Sequence, residues 1–358
     1  MYNYALEILN ILCDKGYESY IVGGFVRDKL LGIENNDIDI ITSAKPEEIS
    51  NIFNTHLESN YGSVKLKYNN YIYEITTFRK ESNYIDNRRP DNYTYITDVK
   101  EDLKRRDFTV NAILIDKDGN YIDYVDGIND LNNKILRCIG NDGEKIREDS
   151  LRILRAIRFN CIYDFEFDNK LEKAIIDNKH LLSNLSFDRI KKELNIVFNA
   201  SKSIKLFNMI NYFDLYKTLE IKPNNMLIET NNYLSIWAQL DFSDNYNFSR
   251  YEINYINSIK DILNIGINSY TVYKYNVDLV KESNKILKLD IDIDQLYNSL
   301  IIKNRKDIDI TYEEILNIVN DKSIINKIYI DLEKHLLYNK LQNKKENIIS
   351  YIEGEYIE

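Results

Sequence analysis

The 358-residue chain predicts an α+β fold: an N-terminal head of mixed sheet and helices, followed by an all-helical remainder. Three observations predict it. Short β-rich runs bounded by Gly and Asn alternate with helical stretches through the first part. From about residue 142 the apolar period is helical and stays so, apart from breaks near Ser183 and around Lys222 to Asn225. Residues 1–160 also hold 11 of the 14 Arg and 9 of the 11 Gly. Since Gly permits tight turns and Arg offers a planar fork suited to phosphate, the functional site is expected in those first 160 residues.

Taken in order, residues 3–13 (NYALEILNILC) have a helical apolar period. SYIVGG is a β-rich run ending on two glycines, and FVRDKLLG reads as a helix stopped by Gly32. NDIDIIT alternates as a strand, Pro46 opens a helix over PEEISNIF, and SVKLKY and YIYEITTF flank Asn69-Asn70, a hairpin turn. Residues 79–98 show no period, contain Pro90 and are strongly polar, which predicts a mobile loop. The second half is rich in Ile, Asn, Lys and Tyr without Gly punctuation, as packed helices require, with a final set over residues 300–345.

An apolar content of 44% marks a globular chain, and a net charge of −10 argues against an indiscriminate nucleic-acid coat, whose affinity comes from basic residues displacing counterions. The acidic excess is shared, 22 basic against 27 acidic residues up to residue 160 and 25 against 30 after it, so residue kind distinguishes the halves. Cys13, Cys138 and Cys161 are too few for a disulfide framework, and no Cys/His cluster suggests zinc. No apolar run approaches the ~18 to 20 residues of a membrane span, and MYNYALEILN carries Glu7 where a signal peptide would be apolar, so a cytoplasmic protein is expected.

Three constellations carry chemistry. In the first, Gly23-Gly24-Phe25-Val26-Arg27-Asp28 precedes Asp37-Ile38-Asp39. On a strand Asp37 and Asp39 share a face and can grip hard divalent cations, while the glycines let backbone amides approach a triphosphate. Asp290-x-Asp292-x-Asp294 and Asp307-x-Asp309 have the same spacing with no glycine pair upstream, and read as solvated strand-like or turn segments. The second is Arg105 to Ala112, RRDFTVNA, in which Arg106 and its neighbours can reach phosphate and ribose hydroxyls. Asp107 and Glu74 are rival candidates for a further metal carboxylate. The third is EDSLRILRAIR, Glu148 to Arg158: at 100° per residue Asp149, Arg152, Arg155 and Arg158 fall on one helix half. In a chain with 33 Lys to 14 Arg, three Arg and no Lys on that face imply that fork geometry matters. Asp149 and Arg152 suit the amine and adjacent ring acceptor of cytosine or adenine, and present the wrong groups to G and U.

With these motifs in this order the chain resembles the class II tRNA nucleotidyltransferase and poly(A) polymerase family, on the side of the bacterial CCA-adding enzymes. VGGFVRDKLLGIENNDIDIIT resembles the metal-binding signature, RRDFTVNA the ribose-binding one, YVDGINDL a hinge, EDSLRILRAIRF the base-selecting helix and LSFDRIKKEL the neck element. The resemblance implies Mg²⁺ at Asp37 and Asp39 and nucleotide contacts by Gly24, Arg27, Arg106, Asp149, Arg152, Arg155 and Arg158. It implies a nucleotidyltransferase head (1–138), a neck with the selecting helix (139–200), a body (201–270) and a tail (271–358), the last three helical and gripping the acceptor arm and elbow of tRNA. The expected activity is addition of C, C and A from CTP and ATP by two-metal nucleotidyl transfer, with no membrane and no obligate protein partner. KDIDITYEEILNIVN lacks the Gly- and Pro-bearing turn usual in the family's tail. TTFRKESNYIDNRRPDNYTYI resembles a loop that CC-adding relatives lack, and the terminal EGEYIE differs from the basic extension of poly(A) polymerases. Addition of A alone is the second expectation. A non-catalytic tRNA-binding protein would have lost the metal or template pair, and an appended phosphohydrolase would need more than the isolated His56, His180 and His335.

Overall fold

A computed structural model describes residues 1–55, 62–85 and 89–357, so His56 lies outside the described residues. The chain packs as two compact units, Met1–Ile221 and Lys222–Glu358. Head and neck segments thus share the first unit.

The head opens with α1 (Tyr2–Asp14), β1 (Ser19–Val22), α2 (Gly24–Leu30), β2 (Asp39–Thr42), α3 (Pro46–Phe53), β3 (Ser63–Tyr68) and β4 (Tyr71–Thr77). These match the alternation and breaker signals closely. Asn69 and Asn70 both take positive φ, 47° and 67°, the conformation a two-residue hairpin turn demands. Next come β5 (Arg79–Ile85), β6 (Arg89–Tyr95), α4 (Val99–Leu103), a 3₁₀ turn at Thr109–Asn111, β7 (Leu114–Ile115), β8 (Tyr121–Ile122), α5 (Gly127–Asn132) and β9 (Ile135–Leu136). Here the expected mobile loop needs correction: β5 and β6 pair antiparallel from Arg79↔Tyr95 to Ile85↔Arg89. Cross-strand backbone pairing supplies the order that side-chain alternation did not signal.

The main sheet runs β3-β4-β2-β1-β7-β8, with β2 antiparallel to β1 and parallel to β4. Val22, Ile41, Phe78, Leu103, Ala112 and Leu114 pack one buried cluster around it. In this register Asp39 lies opposite Val22, the last residue before Gly23, and beside Glu74. The sheet therefore delivers one carboxylate to the mouth of the glycine turn.

Helices take over with α6 (Asp142–Glu148) and α7 (Leu151–Tyr163), followed by a short β10 (Glu166–Phe167), α8 (Asn169–Asn178), α9 (Phe187–Asn199), α10 (Ser203–Tyr212) and α11 (Tyr216–Leu219). The second unit is also mainly helical, from α12 (Tyr233–Ala238) through α13 (Arg250–Ile265), α14 (Ser269–Lys274), α15 (Val277–Ile286), α16 (Ile293–Asn298), α17 (Tyr312–Val319) and α18 (Ile325–Leu337) to α19 (Lys345–Tyr356). One of its clusters joins Ile308, Ile315, Ile328, Leu332, Leu336 and Ile352. The other two Asp-x-Asp runs lie in this unit as turns and caps: Asp292 caps α16, Asp307 accepts from the Lys303 amide at 2.7 Å, and Asp309 from the Lys345 amide at 3.1 Å. Among the described residues no helix is long and apolar enough to cross a membrane.

The YVDGINDL segment braces the RRDFTVNA turn from behind. Thr109 donates to Asp130 at 2.6 Å, and Arg137 reaches Asp130 at 3.2 Å and Asp168 at 3.1 Å. Gly127 sits so tightly here that a Cβ would come within 2.3 Å of the Thr109 carbonyl oxygen. Gly127→Ala is expected to lower stability by about 3 kcal/mol, an overpacking cost measurable by urea unfolding.

Candidate active site

A cavity of about 440 Å³ in the first unit gathers residues from all three motifs: Gly23, Gly24, Arg27 and Asp39; Arg106, Asp107 and Asn111; Asp149, Arg152, Arg155 and Arg158. Leu151 and Phe159 complete the lining. Of the expected site residues only Asp37 is absent from the wall. It is exposed in the segment before β2, so the two acids do not share a strand face, since only Asp39 is in the strand.

Gly23 is the glycine that the turn cannot replace. Its φ is +85°, and a Cβ there would meet Asp39 Oδ2 at 3.3 Å, whereas Gly24 would make only ordinary contacts at 3.6 Å. Asp39 is accordingly held in a crowded, half-buried place, where burial, then Asp37 and Glu74, push its carboxyl up to about 6 against the pull of Arg106. No three His, Cys, Asp or Glu side chains form a metal cluster among the described residues. Asp39 still stands among acids, with Glu74 paired beside it and Asp37 close enough to raise its carboxyl, and Arg106 as the opposing cation. That suits Mg²⁺, which is commonly held by one or two carboxylates plus phosphate and water.

Asp107, one of the two candidates for a further metal carboxylate, is fully engaged by protein partners in this structure. Its Oδ2 accepts from Arg155 Nε at 2.7 Å and from Nη2, while Oδ1 accepts from the Phe108 amide at 2.8 Å and Asn111 Nδ2 at 3.1 Å. Although burial opposes ionisation, Arg155, Asn111 and the amide hold the carboxyl far below its ordinary value. Between the rivals, Glu74 is the one beside Asp39.

Arg27 and Arg158 are hydrogen-bonded as well, whereas Arg106 has a looser ion pair and its buried Nε makes no hydrogen bond. Arg27 donates to Asp28 from Nε (2.8 Å), to Asn111 from Nη1 (2.6 Å) and to Tyr163 from Nη2 (2.7 Å), and lies over the Tyr163 and Phe159 rings at 4.4 and 5.0 Å. Arg106 Nε stands 3.5 Å from Asp102 Oδ2; burial and Arg105 depress its proton affinity, while Asp102 and Asp39 raise it. Arg158 pairs with Glu193 at 2.7 Å, so the neck element LSFDRIKKEL supplies a counter-charge from α9.

Asp149 and Arg152 also differ from a simple helix face. Asp149 has φ −144° and ψ 101° in the break between α6 and α7, because its carboxylate accepts from the Leu151 amide at 3.1 Å and so helps start the helix instead of riding on it. Burial raises its carboxyl, opposed by Arg152, the Leu151 amide, Arg189 and Arg155. Arg152 is only 6% exposed, with Nη1 donating to the Lys145 carbonyl (2.6 Å) and Glu148 (3.1 Å) and Nη2 to the Arg105 carbonyl (3.1 Å).

Asn111, Asp28 and Glu193 lay inside the quoted motifs without being singled out. Buried polar residues beside each arginine were the available signal. Phe159 and Tyr163 had none, because their role arises from Arg27, which is distant in sequence.

Raising Asp39 from 3.8 to about 6 corresponds to roughly 3 kcal/mol. The folded state holds that proton more tightly than the unfolded one, so stability is lost as pH rises from about 4 through about 6. In metal-free protein Asp39→Asn is expected to gain up to that amount at pH 8 and nothing below pH 4, as read by denaturant midpoints at both pH values.

Residues 19–137 match the poly A polymerase head domain, and residues 164–223 match the probable RNA and SrmB-binding site of polymerase A. A CCA-adding enzyme of Ligilactobacillus salivarius is 32% identical over 381 residues, covering 96% of this chain and 94% of the relative. One from Staphylococcus aureus is 32% identical over 394 residues, covering 99% and 98%. Among solved structures, the Bacillus stearothermophilus CCA-adding enzyme in complex with CTP shares the fold at a TM-score of 0.79 and 22% identity, covering 98% of this chain and 96% of that one. The Thermotoga maritima enzyme complexed with tRNA superposes at 0.68 and 22% identity, covering 98% and 94%.

Proposed function

Given that the chain belongs to the family of CCA-adding enzymes and poly(A) polymerases, and is a nucleotidyltransferase, we propose that it adds C, C and A to the 3′ end of tRNA from CTP and ATP. The observation that carries this reading is the convergence of three sequence-distant motifs on one cavity of about 440 Å³. Relatives bearing that name over nearly the whole chain support the activity, and solved relatives with CTP, ATP and tRNA support the substrates.

Asp37 and Asp39 would hold two Mg²⁺ ions, which when bound activate an attacking hydroxyl and neutralise a departing pyrophosphate. The chain's own part is positioning. Gly24, with its neighbour Gly23, brings backbone close to the polyphosphate, and Arg27, Arg106, Arg155 and Arg158 face it from fixed directions. Asp149 accepts the exocyclic amine of C or A, and Arg152 donates to the adjacent ring acceptor. Because three acceptors anchor Arg152, a base with the opposite donor pattern leaves buried groups unpaired, a stronger rejection than shape alone allows. The helices that follow would grip the acceptor arm and elbow of tRNA.

Incubation with tRNA transcripts ending at the discriminator base, at C and at CC, with CTP and ATP apart and together, reads the activity from product length. Extension of all three to CCA is expected; A addition to the CC-ending transcript alone would replace this reading by A-only transfer. Asp37→Ala is expected to abolish incorporation with tRNA binding retained, checked by gel shift beside the turnover assay. Asp149→Ala should reduce discrimination of C and A from G and U by about tenfold or more, one bidentate contact's worth. Unchanged nucleotide choice in single-turnover competition would sink the template role.

A further inference from the structure

Asn35 and Tyr163 take no part in the chemistry above, yet they end one hydrogen-bonded chain. At the end of α7 the Tyr163 hydroxyl accepts from Arg27 Nη2 at 2.7 Å, and Arg27 Nε donates to Asp28 Oδ1 at 2.8 Å. Asp28 Oδ2 accepts from Asn35 Nδ2 at 2.7 Å, and Asn35 Oδ1 accepts the backbone amide of Asp37 at 2.8 Å. The middle of this chain is rigid: Arg27 is 6% and Asp28 4% exposed, and Arg27 also binds Asn111.

Its outer end is the part that needs support. Residues 33–38 have no helix or strand, so Asp37 is reached by a stretch without ladder hydrogen bonds. An Asx turn alone would fix only the local backbone. The second bond of the Asn35 side chain, donated by Nδ2 to buried Asp28, attaches that turn to the protein interior. The far end lies on the helix that carries Arg152, Arg155 and Arg158.

We propose that Asn35 and Tyr163 are positioning residues that set Asp37 and Arg27 from the base-selecting helix, through Asp28. This rests on the nucleotidyl-transfer reading and deepens it. Base choice and phosphate chemistry are thereby held in one register: Tyr163 fixes the Arg27 fork, and Asn35 fixes the approach to Asp37. Misplacement at either end costs turnover, since small displacements of reacting groups carry large rate penalties.

The test uses the full chain with Asn35→Ala, Tyr163→Phe and the double variant. Tyr163→Phe keeps the ring over Arg27 and removes the hydroxyl. Each single change is expected to lower kcat about tenfold for both CTP and ATP, with melting temperature and tRNA affinity unchanged. Mn²⁺ affinity in the presence of CTP, read by electron paramagnetic resonance, should fall about tenfold for Asn35→Ala. The double variant should be no slower than the worse single one, because both cut the same chain. Fully multiplying losses, or wild-type kcat in both single variants, would overturn the proposal. If Asn35→Ala does not fold, Asn35→Ser keeps an acceptor for the Asp37 amide, loses the reach to Asp28 and carries the same expectation. Wild-type protein adding neither C nor A would instead defeat the functional reading.

Discussion

Asp107 clamps Arg155, and through that ion pair the RRDFTVNA turn is joined to the helix that carries Arg152 and Arg158. The cavity exists because these segments, far apart in the chain, are held face to face. The same device recurs around the wall. Arg27 has Asp28, Arg106 has Asp102, Arg152 has Glu148 and Arg158 has Glu193. Five guanidinium groups thus converge in an acidic chain without leaving buried charge uncompensated.

Such pairs add little to folding stability, because desolvation consumes most of the attraction. Their value is directional. A guanidinium tied by up to three of its N–H groups points the others along fixed lines, and a nucleotide meets donors already oriented. Asp39 is the deliberate exception: its neighbours Asp37 and Glu74 are acids, and burial leaves its ionised form at a disadvantage. Local instability at that carboxylate coincides with the place where cation chemistry is expected.

Much of this was legible in the amino-acid order. The glycine pair gives the Asp-x-Asp at residues 37 to 39 a context that the other two copies lack, and Asn69-Asn70 names its own turn. What was not legible depends on partners chosen by tertiary structure. Asp149 reads as helical by angle, but its carboxylate captures the Leu151 amide and ends up outside the helix. The Asp107 partner, Arg155, comes from a helix distant in the chain, which no local spacing signals. Arg79–Ile85 and Arg89–Tyr95 are joined by backbone pairing, which polar side chains do not announce. Tyr163 has no local signature, since its meaning lies in its contact with Arg27.

The pairing of Arg158 with Glu193 also bears on descent. Removing either partner strands a buried charge, whereas replacing both by apolar groups is close to neutral for folding. Sequence drift at these two positions, on different helices, is therefore channelled into joint changes, and a lineage that lost one would be driven toward losing or regaining the other. Relatives of this chain should carry the pair as a unit of inheritance, intact or jointly replaced.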